Sequence, residues 1–201
     1  MPAAASPLEA RFGVVTIDLL VNGKAVQTEL LSISITREVN RIPTARLVIR
    51  DGNPAERTFP ESEGNDFIPG NELQIKLGYN SKNTTVFKGF ITKHAIRLHE
   101  NGFSELNIEA RDKAVKMTLG RKNKYFTEQK DSEIIEALIS NHGLQSDVKT
   151  TTLKHSEVVQ HHATDWDFMM TRAEANGLLV LVKDGKLTVA LPKVESTADF
   201  E

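Results

Sequence analysis

The sequence predicts an α+β chain that is mainly β. Two stretches alternate apolar and polar residues with a period of two: Val15, Ile17, Leu19 and Val21 around Thr16, Asp18 and Leu20, and Leu31-Ser32-Ile33-Ser34-Ile35-Thr36. Turn-forming pairs punctuate the pattern at Asn22-Gly23, Asn101-Gly102 and Asp184-Gly185. After Arg111 the apolar spacing changes to that of helices. Some six strands separated by turns read as a barrel or sandwich rather than a βαβ fold.

The first strand ends at Asn22-Gly23, where both residues tolerate a positive φ. Ala45, Leu47 and Ile49 continue the alternation, and Asp51-Gly52 ends it. Residues 52–71 hold three of the seven prolines and a cluster of acids, which predicts a long surface loop. Strands resume at Leu73, Ile75, Leu77 and Tyr79. They continue from Thr85 to His99, with Gly89 as the expected bulge or close-approach point, and through Leu106, Ile108 and Ala110.

Asp112 is placed to cap a short helix burying Val115 and Leu119. A second helix begins at Asp131 or Ser132. Ile134, Ile135, Leu138 and Ile139 form its stripe, and Gly143 is its C′ residue. A third begins at Thr164, with Asp167 at capping-box spacing, and ends at Gly177. Leu178 to Val182 is an apolar strand, and Leu187 and Val189 return after the turn. No internal repeat is visible.

Composition excludes several classes. The 201 residues carry 25 Lys+Arg against 27 Asp+Glu, a net charge of −2, so nothing marks a general polyanion binder. There is no cysteine, hence no disulfide, thiolate nucleophile or Cys-ligated zinc. The N-terminus lacks the basic and apolar regions of a signal peptide, so synthesis in the cytoplasm is expected. The longest apolar run, 178–182, is too short to span a bilayer, so no stable membrane anchoring is expected.

Few clusters could carry chemistry. His161-His162 with Asp165 is the one ligand-like group and supports a metal-dependent hydrolase as an alternative. Adjacent histidines in a strand point to opposite faces, however, and the acids complement the helix dipole. The carboxylate pairs Glu61/Glu63 and Asp165/Asp167 lie on a loop and at a helix start and read as solvated. Lys113, Lys116, Arg121, Lys122, Lys124 and Lys130, with Tyr125 and Phe126 among them, could form an anionic-ligand patch. The balanced charge favours a solvated surface instead. Trp166, the single tryptophan, reads as a core anchor. No residue is assigned to catalysis, a cofactor or a metal.

Two stretches are more specific. One is Tyr125-Phe126-Thr127 leading into Asp131-Ser132-Glu133-Ile134-Ile135. The other runs from Val159 through Gln160, Thr164, Asp165, Trp166, Asp167 and Phe168 to Arg172, Ala173, Glu174, Asn176 and Gly177. Together they resemble the hub region of VgrG-type spike proteins of contractile injection systems, a family that includes the phage late control protein D. The resemblance implies a non-enzymatic structural hub, needing no cofactor and binding no nucleic acid. As a homotrimer it joins a sixfold inner tube to a threefold spike, contacts a needle or tip protein and baseplate components, and leaves the cell by contraction. It implies a flexible lead-in at 1–10, a first tube-like β-barrel at 11–111 and a helical connecting region at 112–177. Residues 178–201 would be the hairpin opening a second, incomplete barrel, with a polar tail. Tyr125, Phe126, Thr164–Phe168, Arg172, Glu174, Asn176 and Gly177 become structural or assembly positions. Candidate partner surfaces are the 52–71 loop and the basic stretch.

Overall fold

A computed structural model describes residues 14–52, 58–99 and 104–193. Its contacts divide the chain into two compact units. One comprises residues up to 34 together with 45–110; the other comprises 35–44 together with the chain from 111 onward. The mainly β, α+β class is as expected. The lead-in 1–10, the Asn101-Gly102 turn and most of the polar tail lie outside the described residues.

The first unit holds β1 (Val15–Val21), β2 (Lys24–Val26), β3 (Leu30–Thr36), β4 (Thr44–Asp51), α1 (Pro60–Glu63), β5 (Glu72–Tyr79), β6 (Lys82–Leu98) and β7 (Ser104–Asp112), except that the last two residues of β3, the first of β4 and the last two of β7 belong to the second unit. The seven strands form one sheet in the order β2-β1-β5-β6-β7-β4-β3. The β1–β2 turn is Asn22-Gly23, at φ of 49° and 80°, the positive values that suit the twist of a two-residue hairpin. Asn80-Ser81 makes the same turn between β5 and β6, at 51° and 64°.

The two edge strands, β2 and β3, are joined by only four peptide steps, at most about 15 Å. A flat sheet of seven strands would separate its edges by roughly 29 Å. The sheet therefore curls towards closure. A seam remains, because β2 has only three residues and no ladder joins it to β3. Core-facing residues Leu47, Ile49, Leu73, Ile75, Phe87 and Ile108 are fully buried.

Two expectations are corrected. The irregularity between β5 and β6 falls at Val86, where Ile75 pairs Phe87 and Lys76 pairs Thr85; Gly89 pairs regularly with Leu73. The 52–71 stretch is not a free loop over its described part. Phe67 is fully buried, and its carbonyl lies 3.0 Å from His94 Nδ1. The Asp51 carboxylate accepts the N–H groups of Gly52 (2.8 Å), Glu61 (3.0 Å) and Ser62 (3.0 Å), pinning α1 to the end of β4. A lone aromatic among Asp66, Ile68 and Pro69 has no period to betray its burial.

The second unit contains a 3-10 helix (Lys113–Thr118), β8 (Lys122–Lys130), α2 (Asp131–Ser140), β9 (Gln145–Val148), β10 (Lys154–Ala163), α3 (Asp165–Ala175), β11 (Leu179–Lys183) and β12 (Lys186–Ala190). Residues 112–177, expected to be helical, thus hold three strands as well. β8 and β10 form an antiparallel ribbon; β12 lies between β11, antiparallel, and β9, parallel. β8 and β10 were unreadable because so few of their residues are buried. Asp112 does cap the first helix, accepting from Ala114 N–H at 2.9 Å. The three-residue turn of a 3-10 helix buries Ala114 and Met117 rather than Val115 and Leu119. Gly143 lies two residues beyond the α2 cap, Asn141.

Phe126, Ile134, Ile135, Met169, Val180 and Leu187 belong to the core of this unit. Residues 35–44 complete it. Asn40 donates its N–H to Val180 O and accepts Val180 N–H on its side-chain oxygen, both at 2.8 Å, and Ile42 packs against the core.

We expect Phe67→Ala to destabilise the first unit by about 3–5 kcal/mol in chemical denaturation. A change below about 1 kcal/mol would mean that the segment is only a surface cover.

Candidate functional site

Each ribbon strand of the second unit feeds directly into a helix whose first residue is a buried aspartate. β8 ends at Lys130 and α2 starts with Asp131; β10 ends at Ala163 and α3 starts with Asp165. Thr164 caps α3: its hydroxyl accepts Asp167 N–H at 3.0 Å and donates to Asp167 Oδ2 at 2.7 Å. The start of α2 is closed differently. Lys130 N–H donates to Glu133 Oε2 at 2.8 Å, and Ser132 N–H donates to Thr151 Oγ1 at 3.1 Å.

Asp165 is held from three sides. Lys122 Nζ donates to Oδ2 at 2.5 Å, His142 Nε2 to the same oxygen at 2.7 Å, and Gln160 Nε2 to Oδ1 at 2.9 Å. Asp131 is held similarly. His155 Nε2 and Asn176 Nδ2 donate to Oδ2 at 3.0 and 2.8 Å, and Arg172 Nε pairs with Oδ1 at 3.0 Å without hydrogen-bond alignment. An ionised carboxylate only accepts, so both imidazoles carry their proton on Nε2.

Burial by itself would raise both carboxyl groups. For Asp131, the hydrogen bonds from Asn176 and His155 and the Arg172 charge outweigh it; for Asp165, those from Gln160, Lys122 and His142 do. Both therefore lie below the usual aspartate range. Asp112 and Glu61 go the other way, pushed up first by burial, with the Asp51 and Asp66 charges adding to the effect at Glu61.

The resemblance positions are mostly internal. Asp165, Arg172 and Asn176 are spent on these two clusters. Trp166 and Phe168 are buried, and Phe168 stacks on Phe126 at 5.7 Å between ring centroids. Gly177 takes φ +65° just past the Asn176 cap. Tyr125, Asp167 and Glu174 are exposed. His161 and His162 are also exposed; the imidazole on Asp165 belongs to His142 instead. Among the described residues, no group of three His, Cys, Asp or Glu side chains is arranged to hold a metal ion. The basic stretch is dispersed: Lys122 turns onto Asp165 and Lys124 lies 4.8 Å over the Phe126 ring. No described helix is long and apolar enough to cross a membrane. Sequence reasoning did not assign site roles to Asp131, His142 and His155, and it placed Lys122 in the basic stretch rather than on Asp165. The one available signal was an aspartate at the first position of both helices.

A family model described as the Alg8 N-terminal domain matches residues 11–201. The chain belongs to that family. No curated protein matches it significantly. Among solved structures it is similar to the 43 kDa tail protein of prophage MuSo2 from Shewanella oneidensis. The TM-score is 0.70 at 16% identity, over 88% of this chain and 53% of that one. The E. coli c3393 protein, described as a type VI secretion component structurally similar to the bacteriophage T4 tail proteins gp27 and gp5, gives 0.62 at 12%, over 85% and 48%. A chain of the Francisella PdpA-VgrG complex gives 0.55 at 14%, over 90% and 32%. The chain thus has the fold of tail and spike proteins and spans about half the length of the first two.

The lowered carboxyl groups set the acid response. Their contribution is fully present above the unfolded value, about 3.9, and is lost as pH falls through the folded values. We expect Asp165→Asn to cost about 1–3 kcal/mol at pH 7 and to flatten the loss of stability below about pH 4. Parallel acid limbs for variant and parent in urea titrations would contradict this.

Proposed function

We propose that the chain is a structural subunit of a contractile, tail-like injection machine: a hub of the VgrG type that assembles as a homotrimer. It joins a sixfold inner tube to a threefold spike and contacts baseplate and tip proteins. The observation that carries the reading is the shared fold with tail and type VI secretion proteins over 85–90% of the chain. The residues agree with a role in assembly rather than chemistry. The best-formed polar clusters direct their donors onto the two helix-start carboxylates.

Contact surface is available in the first unit. Among the described residues the edge strands β2 and β3 have no outward strand partner, and a cavity of 510 Å³ lies at the connection between them, beside Leu19, Val26 and Leu30. The core-facing row of β1 also runs on past the core. Val21 and Leu19 are buried, whereas Ile17 is 44% and Val15 59% exposed, the latter paired with Tyr79 at 60%. Closed threefold assembly repeats one such contact three times. In this reading the machine carries the subunit out of the cell on contraction.

Light scattering over a concentration series tests the proposal, and a mass three times that of the chain is expected. A monomer that also fails to co-sediment with the cognate tube protein would remove the hub reading. Charging the β3 edge with Ser32→Lys and Ser34→Lys should weaken trimer formation at least about tenfold while leaving the circular dichroism spectrum unchanged.

A further inference from the structure

The second unit contains a repeat that the sequence does not announce. Displaced by 34 positions, Asp131 falls on Asp165, Gly143 on Gly177, Leu144 on Leu178, Val148 on Val182 and Lys149 on Lys183. The structure places the aspartate and glycine pairs in the same roles. Both aspartates are buried first residues of helices. Both glycines follow their helix at nearly the same positive φ, +67° and +65°. The core positions Ile134, Ile135 and Ile139 fall on Phe168, Met169 and Ala173, and all six are buried. β9 falls on β11, and these two strands flank β12 with opposite directions. β8 and β10, antiparallel partners, each lead into one of the two helices.

The polar contacts obey the same relation. Asp165, in the second module, takes donors from Lys122 and His142 in the first. Asp131, in the first, takes them from His155 and Asn176 in the second. His142 corresponds to Asn176 at the displacement of 34, and Lys122 and His155, 33 apart, each donate from the ribbon to the Oδ2 of the other module's aspartate. The contacts are therefore reciprocal, as across a twofold axis. Gln160 and Arg172 are additions without counterparts, since Phe126 and Leu138 stand at the equivalent positions.

We propose that residues 122–149 and 155–183 are two copies of one strand–helix–strand module, locked by exchanging donors for each other's helix-start carboxylate, so that α2 and α3 open only together. If the modules separate, Asp131 loses all of these partners and Asp165 keeps only Gln160, and a buried carboxylate stripped of its partners is costly.

Hydrogen exchange of the whole chain tests this with four single variants. His142→Ala and Asn176→Ala should each speed exchange by on the order of 10–100-fold, and by the same factor in α2 and α3. His142→Asn and Asn176→His insert at each position the residue that serves at the equivalent one, and should change exchange less than about threefold. Acceleration confined to the helix whose own carboxylate lost a donor would overturn the lock. Interchange variants as damaging as the alanine variants would overturn the equivalence of the modules.

Discussion

Two carboxylates taken out of water govern the second unit. Burying such a charge costs several kcal/mol, and a hydrogen bond to a charged group returns about 1.5–3 kcal/mol. Two or three donors apiece thus roughly balance the cost, and removing one leaves a deficit. The arrangement contributes definition more than net stability. Asp131 and Asp165 are satisfied only when the ribbon, both helices and the turn after α2 are all in place. A purely apolar interface between α2 and α3 would tolerate sliding; two fixed oxygen pairs would not.

The same constraint explains why the motif residues are polar yet internal. Asp165, Arg172 and Asn176 are positions of the family resemblance when read along the chain, and in space they hold the fold. A mutation at these positions would loosen the second unit. On the proposed hub reading, the assembly surface is then sought among residues whose apolar side chains stay wet, such as Val15, Ile17 and Tyr79 in the first unit.

Local chemistry was legible in the sequence and long-range pairing was not. The Asn22-Gly23 and Asp184-Gly185 turns, the Thr164 cap and the α2 stripe depend on neighbours a few residues apart, and the structure shows them all. β8, β9 and β10 escaped notice because exposed strands bury too little to alternate. Phe67 was read as loop because burial of an isolated side chain is decided by distant strands. His142 and His155 could not be matched to carboxylates 23 and 24 positions away without the fold.

The repeat escaped the sequence for a further reason. Its conserved core is one of role rather than residue. Ile134 against Phe168, Ile135 against Met169 and Ile139 against Ala173 differ in shape and volume but fill matching sites. A core tolerates such exchanges when total volume is kept, so facing modules can drift apart in compensation. Positions fixed by backbone geometry or charge have less room. A glycine at positive φ pays a steric penalty for any side chain, and a carboxylate has no neutral substitute that accepts so many donors. Gly143 with Gly177 and Asp131 with Asp165 are such positions, and both pairs are identical between the two modules.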